Sequence, residues 1–129
     1  MFNNVMLVED DDVIMMLCKI NLNKTNFTQN LICCGNGYEA FNFLKTEIER
    51  IIPDLIFLDI NMPVMNGWEF LTEFKKYISE KFPSIVIKIL SSSLDPRDIN
   101  KAKSFNIVYE FISKPLNKDI LISLLEINQ

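Results

Sequence analysis

The stretch "PDLIFLDINMPVMNGWEF", residues 53–70, decides the reading of the whole chain. Four consecutive apolar residues, Leu55 to Leu58, mark a strand buried on both faces. They run straight into Asp59, a carboxylate at the end of a buried strand, which must find a partner or a chemical use. The segment "GWEFLTEFKKYISEK" that follows has helical character, so an acid stands at the turning point of a strand–loop–helix unit.

Working outward, the same alternation recurs. "NVMLV" (4–8) is strand-like, and "VIMMLCKINLN" after it places Val13, Met16, Leu17 and Ile20 at helical spacing. "TQNLICC" (28–34) predicts a second strand. An Asn36-Gly37 turn signal then opens a helix with Tyr38, Phe41, Leu44 and Ile48 on one face. "SIVIKIL" (84–90) predicts a fourth strand ending in Ser91-Ser92-Ser93, although Lys88 is foreign to a buried strand; its stem should run along apolar surface with the amine reaching water. Asp95-Pro96 reads as an N-cap and first turn, with the helix ending near Ser104. "IVYEFI" predicts a fifth strand, and Lys114-Pro115 leads into a last helix with Leu116, Ile120, Leu121 and Leu124 on its apolar face. Alternating strands and helices imply an α/β domain over residues 1–129, with a parallel sheet covered on both faces. Ligands of such sheets gather at the carboxyl ends of the strands. Glu9, Asp10 and Asp11 stand at that end after strand one, Asp59 after strand three, Ser91 after strand four and Lys114 after strand five.

Composition removes several functions. With 129 residues and 49% apolar content, one domain can bury a real core. No apolar run approaches the roughly 18 residues of a membrane span. The N-terminus lacks a basic leader, which implies a cytoplasmic protein, and a net charge of −4 argues against direct nucleic-acid binding. Three cysteines and no histidine cannot build a four-ligand zinc site or a Cys–His or Ser–His pair. Cys18, Cys33 and Cys34 read as buried, reduced thiols.

The ordered set "LVEDDD", "NGYEAF", "DLIFLDINMPVMNGWEF", "ILSSS" and "FISKP" resembles the receiver domain of response regulators, the CheY-like family, over essentially the whole chain. The resemblance implies a three-layer (βα)5 flavodoxin-like fold with strand order 2-1-3-4-5, the order of CheY itself. It also implies that Asp59 is the phosphoacceptor, and that Asp10, Asp59 and the Asn61 backbone carbonyl are direct Mg²⁺ ligands, with Glu9 acting through water. Lys114 and Ser91 then contact the phosphoryl group, Ser91 and Phe111 form the switch, and a cis bond precedes Pro115. The chemistry agrees: two carboxylates ~4 Å apart repel by about 4 kcal/mol at an effective dielectric of 20, and a hard divalent cation relieves this. Asp11 reads as a helix cap instead.

The expectation is a stand-alone, phosphorylatable signalling switch. It is not an enzyme beyond Mg²⁺-dependent self-phosphorylation and self-dephosphorylation. With no histidine of its own, it takes phosphate from a partner histidine kinase or histidine phosphotransfer protein, and its output is contact with a downstream protein. The alternative is a receiver-like interaction module that works without phosphorylation. An Asp-nucleophile phosphatase is disfavoured because Asp59-Ile60-Asn61 departs from D-x-D-G. Flavin binding is disfavoured by three acids where hydroxyls and glycine would be needed.

Overall fold

The computed structural model describes residues 1–92 and 95–127, with Tyr109 described for its backbone only. Ser93, part of the triple-serine signal, lies outside the described residues. In chain order the elements are β1 (Phe2–Val8), α1 (Asp12–Lys24), β2 (Thr28–Cys34), α2 (Gly37–Glu47), β3 (Leu55–Asp59), α3 (Gly67–Tyr77), β4 (Val86–Ser91), α4 (Pro96–Ser104), β5 (Val108–Ser113) and α5 (Lys118–Ile127). The five strands pair in parallel in the order β2-β1-β3-β4-β5, the flavodoxin-like order expected.

Two cores flank this sheet, and the twofold alternation of strand side chains divides them. On one face Met6, Val8, Ile56, Leu58, Ile87 and Ile89 meet Ala40, Phe41 and Leu44 of α2, Phe70, Leu71 and Phe74 of α3, and Ala102 of α4. On the other, Val5, Leu7, Leu55, Phe57 and Leu90 meet Cys18 and Leu22 of α1 and Leu121 and Leu124 of α5. Strand β3 is buried at every residue because it lies mid-sheet under both layers. Each fully buried Leu, Ile or Phe contributes roughly 1.5–3 kcal/mol, so β3 is a main anchor of the fold.

Local chemistry sets the helix ends. Asp11 caps α1 by accepting from the N–H groups of Val13 and Ile14. Asn36 caps α2, Asn66 and Glu69 form a reciprocal capping box on α3, and Asp95 caps α4 with Pro96 in the first turn. The turn before β5 uses Asn106 in the left-handed conformation, φ 60°, as its residue type allows.

Three expectations are corrected and one, for Lys88, gains a partner. In α1 the residues Val13, Met16, Leu17 and Ile20 face solvent, while Cys18 and Leu22 are buried. The helix carries more apolar positions than its core-facing side can take, and the packing surfaces of β1 and α5 select the other set. Tyr38 is exposed while Phe41, Leu44 and Ile48 are buried. Lys88, whose side chain is 11% exposed, reaches a carboxylate that is 43% exposed. Its Nζ pairs with Glu110 Oε1 at 3.2 Å, across the β4–β5 step where the register shifts at Ile87/Lys88. Cys33 is exposed, unlike Cys18 and Cys34, because β2 is an edge strand.

Candidate functional site

The strand order puts the ends of β1 and β3 side by side, with Val8 opposite Leu58, so residues 9 and 10 emerge next to Asp59. Asp59 is 4% exposed and Glu9 is 2% exposed. Ligand oxygens of Glu9, Asp10 and Asp59 all lie within 4.8 Å of one another. Into this group reaches Lys114, whose Nζ is 2.6 Å from Glu9 Oε1 and 3.2 Å from Asp59 Oδ1. The backbone N–H of Lys114 donates to the carbonyl of Ser91 at 2.8 Å, which ties the end of β5 to the end of β4. The Lys114-Pro115 bond is cis.

One ammonium contacts two carboxylates of a cluster of three, and burial and repulsion show in the proton affinities of Asp59 and Asp10. Asp59 is held above the usual carboxylate range, first by burial and then by the neighbouring charge of Glu9, against the opposing pull of Lys114. Asp10 is raised by burial and by its hydrogen bond with Asp59. Burial alone would lower Lys114, but its contacts with Glu9 and Asp59 outweigh that and raise it, keeping the ammonium charged. Glu9 Oε1 is fully buried and lies 2.6 Å from that ammonium. Glu9 Oε2 accepts from the Asp11 N–H at 3.2 Å, which folds the segment after β1 over the pocket. An all-oxygen donor set carrying excess negative charge fits a hard divalent cation. Burial pushes the thiol of Cys34 up to about 12, so it contributes no thiolate nearby.

The other expected residues fall around this centre. Ser91 ends β4 at 9% exposure. Asn61 is exposed two residues past Asp59. Phe111 pairs with Ile89 in the sheet register and is half-buried against the α2–α3–α4 core. Met62 is buried in that same core, and Met65 packs against it.

Two glycines matter more than their place in the sequence motifs conveys. A Cβ on Gly67 would lie 2.6 Å from the Asp59 carbonyl oxygen and 2.8 Å from Ile60 Cα, while its N–H donates to Ile60 O at 2.8 Å. A Cβ on Gly37 would lie 2.7 Å from Met65 O, the acceptor of its own N–H at 3.0 Å. Both seat a helix N-terminus against the loop that leaves Asp59. Between them Val64 adopts φ 67°, unusual for a β-branched residue, at 77% exposure. Asn36-Gly37 signalled a turn in the sequence, but not which backbone its glycine approaches.

Comparison with known proteins agrees with this geometry. Residues 5–126 match the model of the response regulator receiver domain. The chain belongs to the response regulator receiver family. Solved structures similar to this receiver include a two component response regulator from Cytophaga hutchinsonii, 33% identical, with a TM-score of 0.88 over 99% of this chain and 98% of that one. Curated relatives include a probable methanogenesis regulatory protein, FilR2, of Methanothrix harundinacea, 29% identical over 88% of this chain and 72% of that protein. The probable transcriptional regulator ycf29 of Porphyra purpurea is 32% identical over 95% of this chain, which spans about half, 54%, of its length. The receiver is thus homologous to response regulators of two-component systems, a signalling switch by family, and a phosphorylation-independent module is the less favoured reading. Among the described residues no helix is long and apolar enough to cross a membrane.

Proposed function

We propose that residues 1–129 form one receiver domain in which Asp59 accepts a phosphoryl group from a histidine of a sensor kinase or phosphotransfer protein. The observation that carries this reading is the placement of the Lys114 ammonium 3.2 Å from a buried Asp59 carboxylate, inside a cluster of three acids. An Asp59 carboxylate oxygen attacks the donor phosphorus, the bond to the donor nitrogen breaks, and an acyl phosphate forms on Asp59. Lys114 then pairs with the phosphoryl oxygens, and the Ser91 hydroxyl donates to one of them. Asp10, Asp59 and the Asn61 carbonyl would hold Mg²⁺ directly, with Glu9 acting through water. Bound there, Mg²⁺ offsets the carboxylate repulsion and shields the incoming charge. Ser91 and Phe111 form the switch whose two arrangements a downstream protein distinguishes. The domain has no enzymatic role beyond its own phosphorylation and dephosphorylation, acts in the cytoplasm, and binds neither nucleic acid nor membrane.

Intact mass after incubation with Mg²⁺ and acetyl phosphate tests the reading. One phosphoryl adduct is expected on the wild type and none on Asp59→Asn. A folded wild type that takes no adduct and binds no Mg²⁺ overturns it.

A further inference from the structure

Helix α4 is held less firmly than its neighbours. Among the described residues it buries only Ala102, whereas α1, α2, α3 and α5 each bury two or more. Its C-terminal end rests instead on an aromatic stack. Phe105, which caps α4, lies nearly parallel to Trp68, with ring centroids 6.1 Å apart and planes 10° apart. The Lys101 ammonium sits 4.8 Å from the Trp68 ring centroid, a cation over a π-face. Trp68 is the second residue of α3, directly after Gly67. Since Gly67 already touches the backbone of Asp59 and Ile60 with no space for a methyl group, the indole is fixed to the strand end that carries the candidate phosphoacceptor.

We propose that Trp68, Phe105 and Lys101 form a latch that holds α4 in place while Asp59 is unmodified and lets it go when Asp59 carries a phosphoryl group. The inference rests on the reading of Asp59 as phosphoacceptor and adds a route by which that site regulates α4, separate from the Ser91 and Phe111 pair. A phosphoryl group drawn toward Lys114 loads the backbone at Asp59 and Ile60. A contact without slack passes such a displacement on, whereas loosely packed side chains would absorb it. The stack is the first place that can yield, because dispersion contacts weaken within half an ångström to one ångström of separation and α4 has little else buried. Packed elements then settle into one of two arrangements rather than deforming continuously.

Trp68 is the one tryptophan of the chain, so its emission reads the latch directly. The experiment is a beryllofluoride titration in Mg²⁺, followed by Trp68 emission and by calorimetry, on the wild type, Phe105→Leu, Phe105→Tyr and Lys101→Ala. Emission of the wild type shifts on binding. By reciprocity, weakening a latch that favours the unmodified state must tighten beryllofluoride binding: about fivefold or more in Phe105→Leu and less in Lys101→Ala. Phe105→Tyr, which keeps the stack, retains wild-type affinity. A merely structural role would lower thermal stability without tightening binding. Unchanged Trp68 emission in a wild type that binds, or wild-type affinity in Phe105→Leu, overturns the latch alone. A wild type that binds no beryllofluoride and takes no phosphoryl adduct overturns the reading of Asp59 and the latch with it.

Discussion

Two lysines of this sheet reach carboxylates from low exposure, and they are not equivalent. Lys88 pairs with Glu110 at 3.2 Å, and Glu110 is 43% exposed, so its carboxylate keeps part of its water. Lys114 stands between Glu9 and Asp59, both nearly inaccessible, with Asp10 within reach of the same cluster. Charge is balanced at the first pair. At the second it is not, and burial, with the neighbouring acid added to it, raises the proton affinity of Asp59 and Asp10. The lesson is that a balanced pair in mid-strand closes a packing problem, whereas an unbalanced cluster at the strand ends stores an electrostatic demand that a cation or a proton can answer.

The largest effect that would sharpen this contrast is all-or-none. Asp59→Asn is expected to abolish the acetyl-phosphate adduct seen by intact mass. In the absence of divalent ions it is also expected to raise stability by on the order of 1 kcal/mol, because it removes a buried charge that lies against Glu9. A mutant less stable than wild type in metal-free urea unfolding would break the contrast.

Next comes the loss of the shared cation. Lys114→Met leaves Glu9 and Asp59 buried together without an ammonium, which should lower stability by about 3 kcal/mol at pH 7 in urea unfolding. Lys88→Met should lose no more than about 0.5 kcal/mol, since Glu110 returns to water. Equal losses at the two positions would erase the distinction.

A smaller effect follows from pH. A carboxyl raised in the folded state binds its proton more tightly there than in the unfolded chain, so its ionised form weakens the fold at neutral pH. That penalty is relieved as pH falls through the raised value, and is gone near the ordinary value of 3.8. The metal-free stability gap between Asp59→Asn and wild type should therefore narrow from pH 7 toward pH 4. Mg²⁺, which competes with protons for the same oxygens, should raise the melting temperature more at pH 7.5 than at pH 5. A gap that widens on acidification contradicts the raised affinity of Asp59.

Much of the fold was legible because local chemistry and tertiary packing agree. Thr28–Cys34 was read with its exact limits, since β-branched and apolar residues there stand between clear turn signals. Asp11 and Asp95 were recognisable as caps because their short side chains can reach the free N–H groups of the next turn. The face of α1 was not legible, because Val13, Met16, Leu17 and Ile20 satisfy helical spacing as well as the buried set does. The partner of Lys88 was missed for a similar reason: Glu110 lies on another strand, and the register that aligns them contains an irregularity no residue type announces.

By itself, the sequence determined the alternation of strands and helices and the residue types at each strand end, both of which rest on periodicity and capping within a few residues. Tertiary structure alone decided that Lys114 meets Glu9 more closely than Asp59, and that Gly67 seats against the Asp59 carbonyl. It also decided that Trp68 stacks on Phe105. Those contacts join residues 8 to 105 positions apart along the chain. Only the parallel crossover topology brings them within a few ångströms, where charge and close packing act.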